Sequence, residues 1–438
     1  MLRTKLNELI AWRNSTARKP LIIKGARQTG KTWLMKEFGR TCYEQTLYIN
    51  LEKSRHLKEL FTGPFDIQRT ITAFQAESGM AISSSNTLII LDEIQEIPEA
   101  ITALKYFSEE APDYHIICAG SLLGVALHPG FSFPVGKVHF MDLFPMTFSE
   151  FLLATGEKSL AEILQGEDWK LISVYKPRYI ERLKQYYYVG GMPEAVLRFS
   201  ETNSFIEVRE IQKEILRSYD LDFSKHVPSG MVPRIRMLWN SIPGQLAKEN
   251  KKFKYGMVKS GSRAKDFETA LAWLINCGQA AIAPRVTRPG IPLKAYEDSG
   301  SFKLFCVDTG LMSAMTDLDP KTLLSGNKMF TEFKGALTEQ YIFQQLRCIE
   351  GITVFYWSAE KSTAEVDFVI QYQGYSIPLE VKAEENLQAK SLKVFREKYS
   401  PPVSVRFSMS DYRTQDGLVN IPLYAAGRLI ETIERIMG

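Results

Sequence analysis

The sequence predicts an α/β protein of several domains, with a parallel-sheet core near its N-terminus and a second α/β domain at its C-terminus. Three observations predict this fold class. A glycine-bounded loop at 25–32 separates an apolar run from a helical pattern, an acidic pair follows the apolar run at 88–91, and two alternating segments flank Gly374. At 438 residues, the chain is long enough for about two to four domains, each with its own core.

The composition is that of an ordinary soluble globular protein. Hydrophobic residues make up 45% of the chain and charged residues 24%, with a net charge of +4. No apolar stretch reaches the roughly 18 residues of a membrane span, and MLRTKLNELIAW is typical of an amphipathic helix rather than a signal peptide. The five cysteines have no CxxC spacing, so neither a disulfide framework nor a zinc site is indicated. We expect a cytoplasmic protein without a membrane partner.

The most specific signal is the octapeptide GARQTGKT, which lies between the apolar run LII and the helical pattern WLMKEFGR. This order of strand, loop and helix is the context in which GxxxxGK[ST] binds phosphates. Loop N–H groups would surround the β-phosphate, Lys31 would neutralise the β- and γ-phosphates, and the Thr32 hydroxyl would ligate Mg²⁺. The predicted nucleotide-binding residues are Gly25, Ala26, Arg27, Gln28, Thr29, Gly30, Lys31 and Thr32.

A nucleotide site of this kind also needs acids at the end of a strand, and NTLIILDEIQEI supplies them. The run at 88–91 predicts a buried parallel strand, and Asp92 and Glu93 follow at its carboxyl end, where such sheets bind ligands. Asp92 would hold magnesium through water, and Glu93 would polarise the attacking water. The next predicted strand, YHIICAGS, ends at Ser121, which either senses the γ-phosphate or serves only as a helix N-cap.

Six segments in this order resemble a large prokaryotic family of AAA-type ATPases: GARQTGKT, LYINLE, LIILDEIQ, IICAGSLLG, LFPMTFSEF and YYYVGGMPEAV. The C-terminal region of that family is a domain of unknown function with a restriction-endonuclease-like core. The resemblance implies a P-loop NTPase core at 1–155 and a helical lid at 156–228. It also implies that the segment ending in Pro193 packs against the nucleotide base. Gly136-Lys137 departs from the Gly-Arg usual in relatives.

Residues 229–300 form a basic region, with twelve Lys or Arg against five Asp or Glu. Two helical patterns are followed by APRVTRPGIPLKAYED, which predicts two short strands around Pro289-Gly290. Three helices with a β-wing would make a winged-helix domain, in agreement with the resemblance. Its positive surface could neutralise phosphates of double-stranded or branched DNA. A structural connector with a solvated basic face is the alternative.

The segment STAEVDFVIQYQGYSIPLEVKAEEN places charges within two predicted strands of a C-terminal domain at 301–438. Strand alternation puts Glu380 and Lys382 on one face, and Asp367 of the preceding strand can meet them. Glu339 on an upstream helix supplies a further acid. The order Glu, Asp, then Glu-x-Lys is that of the PD-(D/E)xK nucleases, in which the acids bind Mg²⁺ or Mn²⁺. A hairpin whose charges merely face water is the alternative.

Two functions follow from these motifs. The first is an ATP-hydrolysing protein coupled to a metal-dependent nuclease, with catalytic residues Glu93, Asp367, Glu380 and Lys382. The metal ligands would be Thr32, Asp92, Glu339, Asp367 and Glu380. The second is a nucleotide-dependent signalling or binding switch with a catalytically silent C-terminal domain. ATP is a partner in both, and association into oligomers is compatible with either. The nucleic-acid substrate, the source of an arginine finger and the pathway have no signal in the sequence.

Overall fold

The computed structural model describes residues 2–120, 133–248, 251–325, 331–360, 363–385 and 390–438. The chain divides into two compact units. The N-terminal unit comprises 3–144 and 276–279, and the C-terminal unit comprises mainly 145–275 and 280–438. The predicted boundaries at 155 and 228 remain predictions. The predicted boundary at 300 falls inside a strand, Glu297–Cys306.

The N-terminal unit contains a parallel sheet of five strands. The strands are β1 Leu21–Lys24, β2 Gln45–Asn50, β3 Thr87–Asp92, β4 His115–Ala119 and β5 His139–Asp142, in the order β2-β3-β4-β1-β5. All four neighbouring pairs are parallel. The accompanying helices are α1 Lys5–Asn14, α2 Lys31–Cys42, α3 Ile67–Ser78 and α4 Pro98–Glu110. Three of them supply the crossovers that parallel strands require, and the predicted parallel α/β core is confirmed.

Both faces of this sheet are buried, which explains why LIIL is apolar at every position. Ile89 packs in a cluster with Phe107 of α4, whereas Ile90 packs on the opposite face in a cluster with Phe38 of α2. All six residues of β3 are buried. Burying an aliphatic or aromatic side chain of this size stabilises the fold by about 1.5–3 kcal/mol, so β3 is firmly packed up to the acid that ends it.

The C-terminal unit opens with a helical region that covers the predicted lid. Its helices are α5 Phe148–Ala154, α6 Lys158–Gln165, α7 Trp169–Val174, α8 Lys176–Val189, α9 Pro193–Thr202 and α10 Phe205–His226. The first of these begins with a capping box: Thr147 Oγ1 accepts from the Glu150 N–H at 3.2 Å, and Glu150 Oε2 accepts from the Thr147 N–H at 3.0 Å. A helical 156–228 region agrees with the sequence, while its action as a lid remains a prediction.

The rest of the C-terminal unit is built on a mixed sheet of eight strands, in the order β12-β13-β11-β10-β9-β8-β6-β7. The strands are β6 Ala280–Val286, β7 Glu297–Cys306, β8 Val354–Ser358, β9 Glu365–Tyr372, β10 Tyr375–Val381, β11 Ser404–Ser408, β12 Arg413–Gln415 and β13 Leu418–Pro422. The helices are α11 Val232–Leu246, α12 Tyr255–Val258, α13 Glu268–Asn276, α14 Thr309–Met315, α15 Pro320–Ser325, α16 Thr331–Arg347, α17 Lys390–Tyr399 and α18 Leu429–Met437.

The basic region contains three helices followed by an antiparallel hairpin, the order that the sequence predicted. Helices α11, α12 and α13 precede β6 and β7, which pair in antiparallel register. The hairpin belongs to the eight-stranded sheet, so the winged-helix assignment remains a prediction. Two strands do flank Pro289-Gly290, but the second begins later than the sequence suggested: β6 ends at Val286, a 3-10 helix Leu293–Tyr296 follows, and β7 begins at Glu297. Proline has no N–H for a strand ladder, and Pro289 and Pro292 lie in this stretch.

The hairpin flanking Gly374 is as predicted. Strands β9 and β10 are antiparallel, with Phe368 opposite Leu379. The two turn residues, Gln373 and Gly374, have φ of 46° and 81°, as the tight turns that match strand twist require.

Among the described residues, no helix is long and apolar enough to cross a membrane. All five cysteines are described, and none of them forms a disulfide bond.

Candidate functional site

The loop at 25–30 joins β1 to α2 at the carboxyl edge of the parallel sheet. Gly25 and Gly30 have φ of 148° and 89°, and a Cβ on Gly25 would lie 2.2 Å from the carbonyl oxygen of Leu143. Glycine is therefore required at these positions. Gly30 is also the N-cap residue of α2, so the loop brings backbone N–H groups to a helix N-terminus, which attracts anions such as phosphate.

Lys31 begins α2, and its ammonium group lies over the loop. Nζ donates hydrogen bonds to the carbonyl oxygens of Gly25 at 2.9 Å and Ala26 at 2.7 Å. Burial lowers the pKa of Lys31 to about 8, although the charges of Glu93 and Asp92 act in the opposite direction. Phosphate oxygens would be stronger acceptors for this ammonium than neutral carbonyls, so the side chain is placed to exchange these partners for a nucleotide.

The Asp92 carboxylate links the end of β3 to the start of α2. Its Oδ2 accepts hydrogen bonds from the Thr32 hydroxyl at 2.7 Å and from the Tyr48 hydroxyl at 2.9 Å. Its Oδ1 accepts from the Glu93 backbone N–H at 3.1 Å. A hydroxyl and a carboxylate are the hard oxygen ligands that Mg²⁺ prefers. The donor set therefore fits the predicted magnesium site.

Glu93 follows β3 in a left-handed backbone conformation, with φ 53° and ψ 46°. This conformation is uncommon for residues other than glycine. Its Oε2 accepts a hydrogen bond from the buried Gln95 side-chain amide at 2.6 Å. The Glu93 charge also acts on Lys31. The backbone turn and the Gln95 amide together fix the Glu93 carboxylate close to the loop.

Three side chains at this site have no role in the sequence prediction: Arg3, Tyr48 and Gln95. The Arg3 guanidinium donates to the Thr29 carbonyl oxygen at 2.9 Å and is 6% exposed. No local pattern identifies it, because 26 residues separate the pair. The LYIN alternation could have identified Tyr48, since it puts the tyrosine on the less buried face of β2. The predicted γ-phosphate sensor Ser121 lies outside the described residues.

The Gly190-Gly191 pair, predicted beside a nucleotide base, is held within the C-terminal unit by Asp308. The Gly191 N–H donates to Asp308 Oδ2 at 2.6 Å, and the Gly191 oxygen accepts from the Met146 N–H at 2.6 Å. A Cβ on Gly190 would lie 2.1 Å from Asp308 Oδ1. These contacts give the glycines a packing role. Pro193 is the first residue of α9, and its contact with a nucleotide remains a prediction.

Asp308→Ala is expected to destabilise the C-terminal unit by roughly 3 kcal/mol or more. The buried carboxylate accepts from three donors, the N–H groups of Gly191 and Leu311 and the side-chain amide of Gln344, and each buried donor left without a partner costs about 1–3 kcal/mol. Urea unfolding measures the free energy of unfolding of the variant. The control is Glu201→Ala, which removes an exposed side chain of α9. Equal stability of both variants would contradict this role.

The four residues predicted for the C-terminal site do come together. The β9–β10 register places Asp367 and Glu380 at neighbouring positions just beyond the Phe368–Leu379 pair, and Asp367 Oδ2 accepts from the Val381 N–H at 2.8 Å. The Lys382 ammonium lies 2.7 Å from Glu380 Oε1. Glu339 of α16 approaches Asp367 closely enough for a side-chain hydrogen bond. It is 4% exposed, so it is buried with the cluster rather than at its rim.

Two lysines that the sequence analysis did not identify neutralise this cluster. The Lys303 ammonium of β7 lies 2.7 Å from Glu365 Oε1, 3.5 Å from Glu339 Oε2 and 3.7 Å from Asp367 Oδ1, and its side chain is fully buried. Lys251 forms an ion pair with Glu339 Oε1. Four acids make up this carboxylate cluster: Glu339, Glu365, Asp367 and Glu380.

The pKa values of the cluster follow from burial and these neighbours. Burial would raise the pKa of Glu339, but the charges of Lys251 and Lys303 outweigh it and lower the pKa to about 2. Burial, followed by the charges of Glu339 and Glu380, raises the pKa of Asp367 well above its usual range. Burial would lower the pKa of Lys303, yet the surrounding carboxylates raise it. The site therefore holds both cationic and anionic groups away from water.

A divalent ion does not fit this cluster as it is arranged. Among the described residues, no group of three or more His, Cys, Asp or Glu side chains is placed to hold a metal ion. The Lys303 ammonium lies between the carboxylates that the sequence assigned to the metal. Glu339 Oε2 and Glu380 Oε2 are both buried without a hydrogen-bond partner within the described ranges, although the Lys303 ammonium lies 3.5 Å from Glu339 Oε2.

Residues 17–152 match a family described as AAA domain. The match includes all five strands of the parallel sheet, the loop at 25–30 and Asp92. This part of the chain is therefore similar to AAA domains. Residues 180–322 match a domain of unknown function, DUF8612, and residues 334–426 match another, DUF4143. Lys303 lies in the former and the carboxylate cluster in the latter. The restriction-endonuclease-like core remains a prediction.

Solved structures resemble the chain only distantly. The Walker-type ATPase PABY2304 of Pyrococcus abyssi is 13% identical, with 72% of this chain and 95% of that chain covered and a TM-score of 0.44. The Aeropyrum pernix Orc1 protein in complex with DNA is 11% identical, with 73% and 93% covered and a TM-score of 0.28. AMPPCP-bound DnaA from Aquifex aeolicus is 13% identical, with 62% and 88% covered and a TM-score of 0.27. At these scores no argument about the AAA domain rests on them. No curated protein matches the chain.

Proposed function

We propose that the protein binds ATP with Mg²⁺ at the AAA domain and hydrolyses it. The observation that carries this proposal is the 2.7 Å hydrogen bond from Thr32 Oγ1 to Asp92 Oδ2. It joins the hydroxyl of the phosphate loop to the acid at the end of β3, the two groups that would hold the cation. When bound, Mg²⁺ would supply positive charge to the phosphates.

The remaining roles belong to side chains fixed around that pair. The Lys31 ammonium would leave the carbonyl oxygens of Gly25 and Ala26 for phosphate oxygens. Glu93 would accept a proton from the attacking water, and Gln95 would orient the Glu93 carboxylate through its 2.6 Å hydrogen bond. Such a base contributes typically 10²–10⁴-fold to a rate. The arrangement supports hydrolysis rather than binding alone.

Glu93→Gln is expected to leave ATP affinity within about twofold of wild type and to slow turnover by about 100-fold or more, because the base is lost while Thr32 and Asp92 remain. Phosphate release at saturating ATP and calorimetric titration of ATP measure the two quantities. Glu96→Gln, in the 3-10 helix Ile94–Glu96, is the matched control and should behave as wild type. Weakened binding with normal turnover would contradict the proposed role.

Metal-dependent cleavage of nucleic acid is a second candidate function, at the C-terminal site. The observation that favours it is the meeting of Glu339, Asp367 and Glu380 with the Lys382 ammonium, which is 2.7 Å from Glu380. The alternative, a catalytically silent domain in a nucleotide-dependent switch, is favoured by the buried Lys303 among the same acids. The two candidates differ in whether these side chains support cleavage.

Asp367→Ala and Lys382→Ala are each expected to abolish Mg²⁺- or Mn²⁺-dependent cleavage while ATP hydrolysis stays unchanged. Both side chains belong to the C-terminal unit, and the phosphate loop belongs to the N-terminal unit. The assay uses plasmid, linear and branched DNA and RNA, with and without ATP. The control is Lys393→Ala, which removes an exposed side chain of α17. Absence of cleavage by wild type under all conditions would favour the silent domain, and cleavage surviving both substitutions would assign it to another site.

The proposed nucleic-acid partner, double-stranded or branched DNA, is supported by charge. Residues 229–300 carry a net charge of +7. Lysine and arginine side chains bind DNA phosphates with an affinity that falls as the salt concentration rises. The three helices and hairpin of this region support a winged helix that would present that charge. We also propose that the protein assembles into oligomers. The sequence does not indicate which residue is the arginine finger, and a neighbouring subunit could supply it.

A further inference from the structure

The ammonium groups of Lys303 and Lys251 lie where the sequence placed a divalent cation. Lys303 reaches Glu339, Glu365 and Asp367 with a fully buried side chain, and its ammonium also lies 5.2 Å from the centre of the Tyr356 ring. Lys251 forms an ion pair with the other carboxylate oxygen of Glu339, Oε1. Buried carboxylates repel one another unless a cation lies among them. Here side chains of the same chain provide that cation.

We propose that Lys303 and Lys251 act as the internal cation of the carboxylate cluster and keep it free of divalent metal, and that Lys251 is the lysine whose withdrawal opens it. The inference is independent of ATP hydrolysis, but metal-dependent cleavage at these acids would require the state in which Lys251 has withdrawn. It concerns only which cation neutralises these acids.

The two lysines differ in how firmly the fold holds them. Lys303 lies within β7, opposite Ala283 of β6, and cannot leave without disrupting the sheet. Lys251 lies in the short segment 251–254, outside any helix or strand, and its side chain is 15% exposed. The segment is attached to β7 by the Phe253 N–H, which donates to the Phe302 carbonyl oxygen at 2.8 Å. Lys251 can therefore swing away while this attachment stays.

Withdrawal of Lys251 would release Glu339 Oε1 beside Asp367. Glu380 Oε2, buried without a hydrogen-bond partner within the described ranges, would add a further acceptor. Carboxylate oxygens of this kind bind Mg²⁺ and Mn²⁺. The cluster thus has two states, one neutralised by Lys251 and one able to accept a metal.

The test is Mn²⁺ binding to the full-length, nucleotide-free protein, followed by electron paramagnetic resonance. Wild type and the charge-conserving Lys251→Arg should bind Mn²⁺ weakly, and the exposed control Lys259→Met should match them. Lys251→Met should bind one ion at least about tenfold more tightly, a difference of about 1.4 kcal/mol. Adding Asp367→Asn to Lys251→Met should remove the gain, which separates this cluster from any ion at Asp92.

Two outcomes would overturn the proposal. Wild type binding Mn²⁺ as tightly as Lys251→Met would show that the lysine excludes nothing, and no gain in Lys251→Met would show that its removal does not open the cluster. Lys251→Gln repeats the test with a polar side chain if the Met variant folds poorly. Thermal unfolding of wild type gives a measurement without any substitution: Mn²⁺ should raise its melting temperature by less than about 1 °C, and a rise of about 5 °C would contradict the proposal.

Discussion

Lys31→Ala is expected to weaken ATP binding about a hundredfold or more, equivalent to about 2.7 kcal/mol. The ammonium is the group expected to neutralise the β- and γ-phosphates, and it already lies over the loop at 2.7 and 2.9 Å from two carbonyl oxygens. A charge-assisted contact to phosphate is about twice as strong as a neutral hydrogen bond. Calorimetric titration with ATP and Mg²⁺ measures the loss.

The control for this substitution is Lys53→Ala, which removes an exposed lysine of the same unit. It should bind ATP as wild type does. Circular dichroism of Lys31→Ala should show that α2 and the parallel sheet are intact, so that the loss belongs to the contact and not to unfolding. Unchanged ATP affinity in a folded Lys31→Ala protein would contradict the assignment of the loop.

Lys303→Met is expected to lower the free energy of unfolding of the C-terminal unit by about 3–5 kcal/mol, the usual cost of removing one partner of a buried ion pair. Methionine preserves the length of the side chain but leaves Glu339, Glu365 and Asp367 buried without their shared ammonium. Urea unfolding measures the loss, and Lys294→Met, on an exposed position of the 3-10 helix Leu293–Tyr296, is the control. Stability equal to the control would mean that water or other side chains neutralise the cluster.

The nucleotide site could be predicted because its signals are local in the sequence. The eight residues 25–32 carry the loop, the lysine and the hydroxyl, and LIIL directly precedes Asp92. The pairing of Thr32 with Asp92 follows from the parallel sheet, which brings both to one edge. Arg3 could not be predicted, since its contact with the Thr29 carbonyl oxygen depends on how the first residues of the chain pack.

The carboxylate cluster was predicted only in part. Strand alternation identified Asp367, Glu380 and Lys382, and a helical pattern identified Glu339. Lys303 is 64 residues from Asp367, and Lys251 is 88 residues from Glu339, so no spacing rule relates them. One signal did exist: Lys303 interrupts the apolar run FKLFCV, and a charged residue inside a buried strand needs a partner of opposite charge.

The sequence alone also did not indicate that β6 and β7 belong to the sheet that carries this cluster. The charge excess of 229–300 suggested a separate domain. In the structure, β6 and β7 join β8–β13 in one eight-stranded sheet, because β6 pairs in parallel with β8 across a large sequence separation. Such non-local pairing leaves no trace in local composition.

The most direct test of the central claim is steady-state phosphate release from ATP by the full-length protein, with Mg²⁺ and with EDTA, beside Lys31→Ala purified in the same way. We expect release by wild type that saturates with ATP and requires Mg²⁺, and none above background from Lys31→Ala. Equal release by the two proteins, or no release by wild type, would contradict ATP hydrolysis at Gly25–Thr32 and Asp92.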